Sequence, residues 1–85
     1  MADDLTDDER QVLRTFRRMN TQPNDFLPSA SIENDFYRYN NTSTAAKALN
    51  TAYDGLIQKG HLTYNAGGGM PIYYLTQSGH DKANE

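Results

Sequence analysis

Eighty-five residues make one domain; two domains, or a barrel of eight strands and eight helices, need more chain. Cysteine is absent, which excludes disulfides, thiolate zinc sites and cysteine nucleophiles. The net charge of −3 hides a split: Asp3, Asp4, Asp7, Asp8 and Glu9 open the chain without a base, whereas residues 10–80 hold seven bases against four acids. The body is therefore mildly basic beneath an acidic leader. That balance is compatible with nucleic acid, but the sequence pI of 5.2 lies far from the values above about 9 found in dedicated binding domains. No apolar run approaches the ~18 residues of a membrane span, and no basic-then-apolar leader opens the chain. The expectation is a soluble, cytoplasmic protein.

The first predicted element is a helix beginning at Thr6. Thr6-Asp7-Asp8-Glu9 reads as a capping box, and its carboxylates suit the positive end of the helix dipole. Val12, Leu13, Phe16 and Met19 recur at helical spacing and predict the buried stripe; Asn20 ends the helix. Pro23 and Pro28 punctuate the loop that follows, in which Phe26-Leu27 forms either a short strand or a plug under the core. A second helix is predicted over residues 29–39, capped by Ser29 or Ser31, with Ile32, Phe36 and Tyr39 near one face.

After the turn pair Asn40-Asn41, a third helix is predicted over residues 42–59, capped by Thr42 or Ser43 and stopped by Gly60. Ala45, Leu49, Ala52, Tyr53 and Leu56 cluster on its inner side. Ser43, Thr44, Lys47, Asn50, Thr51, Asp54 and Gln58 lie on the other. The period then changes to two. His61-Leu62-Thr63-Tyr64 and Ile72-Tyr73-Tyr74-Leu75 read as a hairpin across a Gly67-Gly68-Gly69 tip. Ser78-Gly79 breaks the second strand, leaving a tail or one helical turn. The predicted organisation is an acidic leader over residues 1–5, a domain over 6–79 and a tail over 80–85.

Leu56-Ile57-Gln58-Lys59-Gly60-His61-Leu62 and Tyr73-Tyr74-Leu75-Thr76-Gln77-Ser78-Gly79 carry a resemblance. They are similar to the L-x-x-K-G-x-[LI] … Y-x-L-T-x-x-G pattern of MarR, PadR and related winged helix-turn-helix regulators. The resemblance covers roughly residues 6–79. It implies an α+β fold: a winged helix-turn-helix of three helices with a two-stranded β-hairpin wing. The first motif would end the recognition helix and enter the wing; the second would be the returning wing strand and the start of the next helix. One departure is plain. Wings that grip DNA usually carry Arg or Lys near the tip, and residues 65–71 have neither.

The resemblance implies double-stranded DNA as partner, read in the major groove by the helix at about 42–59 of a small transcriptional regulator. The residues expected at the DNA are Arg38, Asn41, Ser43, Thr44, Lys47, Asn50 and Thr51, with Gly67, Gly68 and Gly69 at the wing. Asn pairs with adenine, Ser and Thr contact bases or phosphate, and Lys47 and Arg38 suit phosphate. An ordinary solvated helix face has the same composition. Asp54 repels phosphate, so the footprint ends before it. A single copy neutralises few phosphates, so useful affinity is expected to need a homodimer.

The alternative is a protein-interaction winged helix that docks through the neutral wing or through Arg10, Arg14, Arg17 and Arg18, a basic stripe opposite Val12, Leu13 and Phe16. Charge runs of this kind are usually plain surface. Phe36, Tyr37, Tyr39, Tyr64, Tyr73 and Tyr74 have the chemistry to stack on single-stranded bases, but at these spacings they read chiefly as core. Tyr37 and one of Tyr73 and Tyr74 are expected to be exposed. Gly67-Gly68-Gly69 lacks the lysine and flanking elements of a phosphate loop. His61 and His80 fit no metal-ligand spacing, and the hydroxyl residues carry no elbow or triad signature. No cofactor, metal or catalytic residue is therefore expected.

Overall fold

The computed structural model describes residues 5–66 and 68–85. The chain enters through Thr6, whose hydroxyl accepts the Glu9 N–H at 3.1 Å while the Glu9 carboxylate takes the Thr6 N–H at 2.9 Å. This reciprocal cap starts α1 (Asp7–Arg18). The helix ends with Asn20 in the left-handed region (φ 60°), its N–H on Arg17 O and that of Thr21 on Phe16 O. Those two bonds satisfy the last carbonyls of the helix.

β1 (Phe26–Pro28) leads directly into α2 (Ser29–Tyr39), and a five-residue connection, 40–44, leads to α3 (Ala45–Gln58). α3 closes as α1 does: Gly60 (φ 81°) donates to Ile57 O and His61 to Leu56 O. β2 (Leu62–Asn65) and β3 (Ile72–Leu75) form the hairpin, and α4 (Gln77–Ala83) ends the chain. Among the described residues the fold is α+β, four helices and a three-stranded antiparallel sheet in the order β1-β3-β2.

Register fixes which side chains share a face. Leu27, Tyr73 and Tyr64 lie in one row across the sheet; Phe26, Tyr74 and Thr63 lie in the next, on the opposite face. The first face, with Leu62 and Leu75, turns toward the helices. The core joins Val12, Leu13 and Phe16 of α1, Ile32 and Phe36 of α2, and Ala45, Leu49, Ala52, Tyr53 and Leu56 of α3. Each large side chain buried here stabilises the fold by about 1.5–3 kcal/mol.

Polar contacts also tie the helices together. Asp35 accepts the Thr15 hydroxyl at 2.5 Å and pairs with Arg18, tying α2 to α1. Lys59 Nζ meets Glu9 Oε1 at 2.6 Å, tying the end of α3 to the start of α1.

Several expectations are corrected. The three helices become four because Thr76 caps the Gly79 N–H at 3.0 Å and starts the seven-residue α4 where a tail or one helical turn was expected. β3 ends at Leu75, before the expected break at Ser78-Gly79, and both residues lie within α4; a Cβ on Gly79 would collide with the His61 carbonyl, so glycine permits the close approach. The two strands become three because Phe26–Pro28 pairs with β3. Pro28, not a serine, precedes α2, and α3 starts after Thr44 without a side-chain cap. Met19 and Tyr39 leave the predicted stripes, being 48% and 64% exposed, because each stands where its helix runs out beyond the core. Leu5, assigned to the leader, is buried with the core.

Candidate functional site

α3 is amphipathic by construction. Its inner residues are buried, and Lys47, Asn50 and Thr51 stand exposed on the opposite side. Ser43 and Thr44 are exposed just ahead of the helix, Asn41 is exposed in the connection, and Arg38 is exposed in the last turn of α2. The connection is shaped locally: Asn40 Nδ2 donates to Phe36 O at 2.9 Å and closes α2. The Thr51 hydroxyl donates to Lys47 O at 3.0 Å, which leaves its oxygen as an acceptor toward solvent. Gly68 and Gly69, both at φ 91°, are exposed in the hairpin loop. Gly67 and residues 1–4 lie outside the described residues.

On α3 the exposed face carries Lys47 and, on a later turn, the anion Asp54; Arg38 is exposed at the end of α2. The denser positive charge lies on α1, where Arg10, Arg14, Arg17 and Arg18 are all exposed. Arg18 is engaged with Asp35. Arg14 and Arg17 line a recess of about 130 Å³ floored by Leu5 and Leu13 and edged by Lys82 of α4. The two basic regions therefore belong to different elements, α2–α3 and α1–α4.

A third feature was not anticipated. Between α3 and the hairpin lies a groove of about 320 Å³ lined by Asn50, Tyr53, Asp54, Ile57, Tyr64 and Tyr73. Tyr53 and Tyr73 stack at 4.0 Å with planes 14° apart; Tyr64 leans on Tyr73 at 5.2 Å and 49°. Burial pushes the Tyr73 phenol from 10.0 up to about 12, reinforced by Tyr64, Asp54 and Glu33. Burial also raises Tyr53, with Tyr73, Glu33 and Tyr37 adding to it. The Tyr53 hydroxyl is buried and has no hydrogen-bond partner among the described residues.

Helical periodicity places Tyr53 inward correctly, but the strand pattern leaves open which of Tyr73 and Tyr74 is buried, and neither period shows that the rings of Tyr53 and Tyr73 meet. Tyr37 is exposed as expected. Tyr73 is buried and Tyr74 half-buried, while Tyr39 and Tyr64 are the most exposed of the tyrosines.

His61 is buried beside Ser78, Nδ1 to Oγ at 2.9 Å. Ser78 gives its proton to Gly60 O at 3.0 Å, so the imidazole is the donor in that pair. Thr76 also donates to Gly60 O, at 2.7 Å. This cluster fastens α4 to the end of α3. Among the described residues no group of three or more metal-ligating side chains gathers, and no helix is long and apolar enough to cross a membrane. No known protein family, curated protein or solved structure matches the chain.

Proposed function

We propose that the protein is a winged-helix DNA-binding protein, a small regulator that reads the major groove with α3. The observation that carries this reading is the order α1-β1-α2-α3-β2-β3-α4 with β1 closing the sheet beside β3, which leaves the polar face of α3 exposed next to the hairpin. A helix presented in this way fits the width of the major groove. Ser43, Thr44, Asn50 and Thr51 would meet base edges; Arg38, Lys47 and the Asn41 turn would meet phosphate. The hairpin loop at Gly68-Gly69 would lie along the flanking backbone. On this reading the protein is not an enzyme.

Fluorescence anisotropy with a mixed-sequence duplex, at low and then moderate salt, tests the proposal. Binding should weaken steeply with salt. Replacing both Arg38 and Lys47 with Ala should reduce the slope of log affinity against log salt by about two, one per lost phosphate contact. An unchanged slope would remove this interface. Wild-type affinity that rises with protein self-association would support a homodimer on DNA.

One observation favours a second reading, a module that docks on an acidic protein partner. Arg14 and Arg17 sit above an apolar floor on α1, away from α3, and that face has more positive charge than the helix proposed to meet DNA. Absence of duplex binding even at low salt would transfer the proposal to this surface.

A further inference from the structure

Apart from Asn50, the groove between α3 and the hairpin is lined by residues that the DNA reading does not use. Its walls are three tyrosine rings and Ile57, and its lining side chains include one charge, the Asp54 carboxylate. No Lys or Arg lines it, so a phosphate entering here would meet an acid and no base. A cation would meet the reverse: the carboxylate, and aromatic faces whose quadrupole attracts positive charge. At about 320 Å³ it stands at the small end of ligand pockets, enough for one chain of a few carbons with a polar head.

The degree of order also suits a ligand site. Tyr73 is fixed between Tyr53 and Tyr64, at 4.0 and 5.2 Å, so two of the ring positions are set before anything binds. Tyr64 stays half-exposed and Asp54 exposed, leaving the entrance open. Tyr53 is 4% exposed, and its hydroxyl lacks a partner. A buried hydroxyl without a hydrogen bond is rare enough to require a reason. That oxygen has no surface open to the groove, so a ligand N–H would reach it only if the ring turned, and a neutral phenol could then accept it.

We infer that this groove is a binding site for an alkylammonium group, held by the Asp54 carboxylate and the half-exposed ring of Tyr64. Such a group belongs either to a diffusible amine or to a lysine side chain of a protein. Both sources present the same ammonium on an apolar stem, and the stem matches Ile57 and the ring edges.

The test is NMR of protein labelled on its tyrosine rings, titrated with butylammonium chloride, with sodium chloride at equal ionic strength, and with 1-butanol. Butylammonium should give saturable shifts at Tyr53, Tyr64 and Tyr73. Salt should give none, and the alcohol should bind more weakly. Asp54→Asn, at an exposed position, should keep the melting temperature and weaken binding about fivefold, the scale of one surface charge pair. Tyr64→Ala should weaken it by a similar factor. A capped lysine peptide that binds more tightly than the amine identifies a protein lysine as the source; equal affinity identifies a small amine. Shifts no larger than those with sodium chloride, equal binding of butanol, or full affinity in Asp54→Asn would each overturn the inference. No DNA is present in this titration, so its outcome is independent of the DNA reading.

Discussion

The carboxylate of Glu9 occupies the space that a side chain on Gly55 would need. Glycine inside a helix costs about 1 kcal/mol relative to alanine, so Gly55 in α3 is unfavourable on propensity alone. The arrangement is explained by what it admits. Glu9 caps α1 through the Thr6 N–H and pairs with Lys59 at 2.6 Å, and both contacts require its carboxylate to lie flat against α3.

Gly55→Ala should therefore destabilise the protein by about 1–2 kcal/mol, although alanine is the better helix former. The added methyl pushes Glu9 from its partners and leaves buried polar groups unpaired. In a Glu9→Ala background the same change should stabilise, by up to about 1 kcal/mol, because only propensity remains. Urea unfolding of the four proteins in this cycle measures the coupling. A stabilising Gly55→Ala in the wild-type chain would show that Glu9 yields at no cost.

Much of this arrangement was legible, and the reason is local. The capping box of Thr6 and Glu9 and the stop at Gly60 act within one helical turn, so short patterns show them. Leu49, Ala52 and Leu56 follow one period and are buried as that period requires. What short patterns leave open is non-local: residues 26–27 read equally as a strand or a plug, and the last residues as a tail or one helical turn. Phe26–Pro28 is a strand only because β3 lies beside it. The first turn of α4 contains Ser78 and Gly79, a poor start for an isolated helix, and is held by Thr76 and by packing against α1 and the His61 carbonyl. The candidate site divides in the same way. The exposed face of α3 follows from helical spacing, whereas the tyrosine groove depends on how α3 and the hairpin meet.

The stacked tyrosines carry a pH dependence. Tyr73 ionises with difficulty in the folded protein, its pKa pushed from 10.0 up to about 12, and Tyr53 is raised as well, in both cases chiefly by burial. The folded state thus favours the neutral phenols. Their contribution to stability is complete below pH 10 and is lost as pH rises through the folded values, because the unfolded chain releases those protons first. Urea midpoints should be insensitive to these two groups at neutral pH and should fall between about pH 10 and 12. Tyr73→Phe should flatten part of that fall. Ultraviolet titration gives the companion measurement: the Tyr53 and Tyr73 phenols should ionise with unfolding. Full, reversible ionisation of all six tyrosines near pH 10 with the fold intact would contradict it.

Asn20 and Gly60 end α1 and α3 in the same left-handed conformation, with φ of 60° and 81°, and with the same pair of backbone bonds. One site uses glycine and the other does not, which makes the two helix ends an internal comparison. Left-handed backbone costs an ordinary L-residue about 1–2 kcal/mol; asparagine tolerates it better, and glycine bears no penalty. Asn20→Gly should stabilise by about 0.5–1 kcal/mol. Gly60→Ala should destabilise by about 1–2 kcal/mol. A Cβ at Gly60 would touch nothing, so that loss would come from backbone strain and not from a clash. Gly60→Asn should then recover part of it. Urea unfolding with an unchanged slope isolates the stability difference. If Gly60→Asn were as unstable as Gly60→Ala, side-chain tolerance of the left-handed region would not explain why asparagine ends α1.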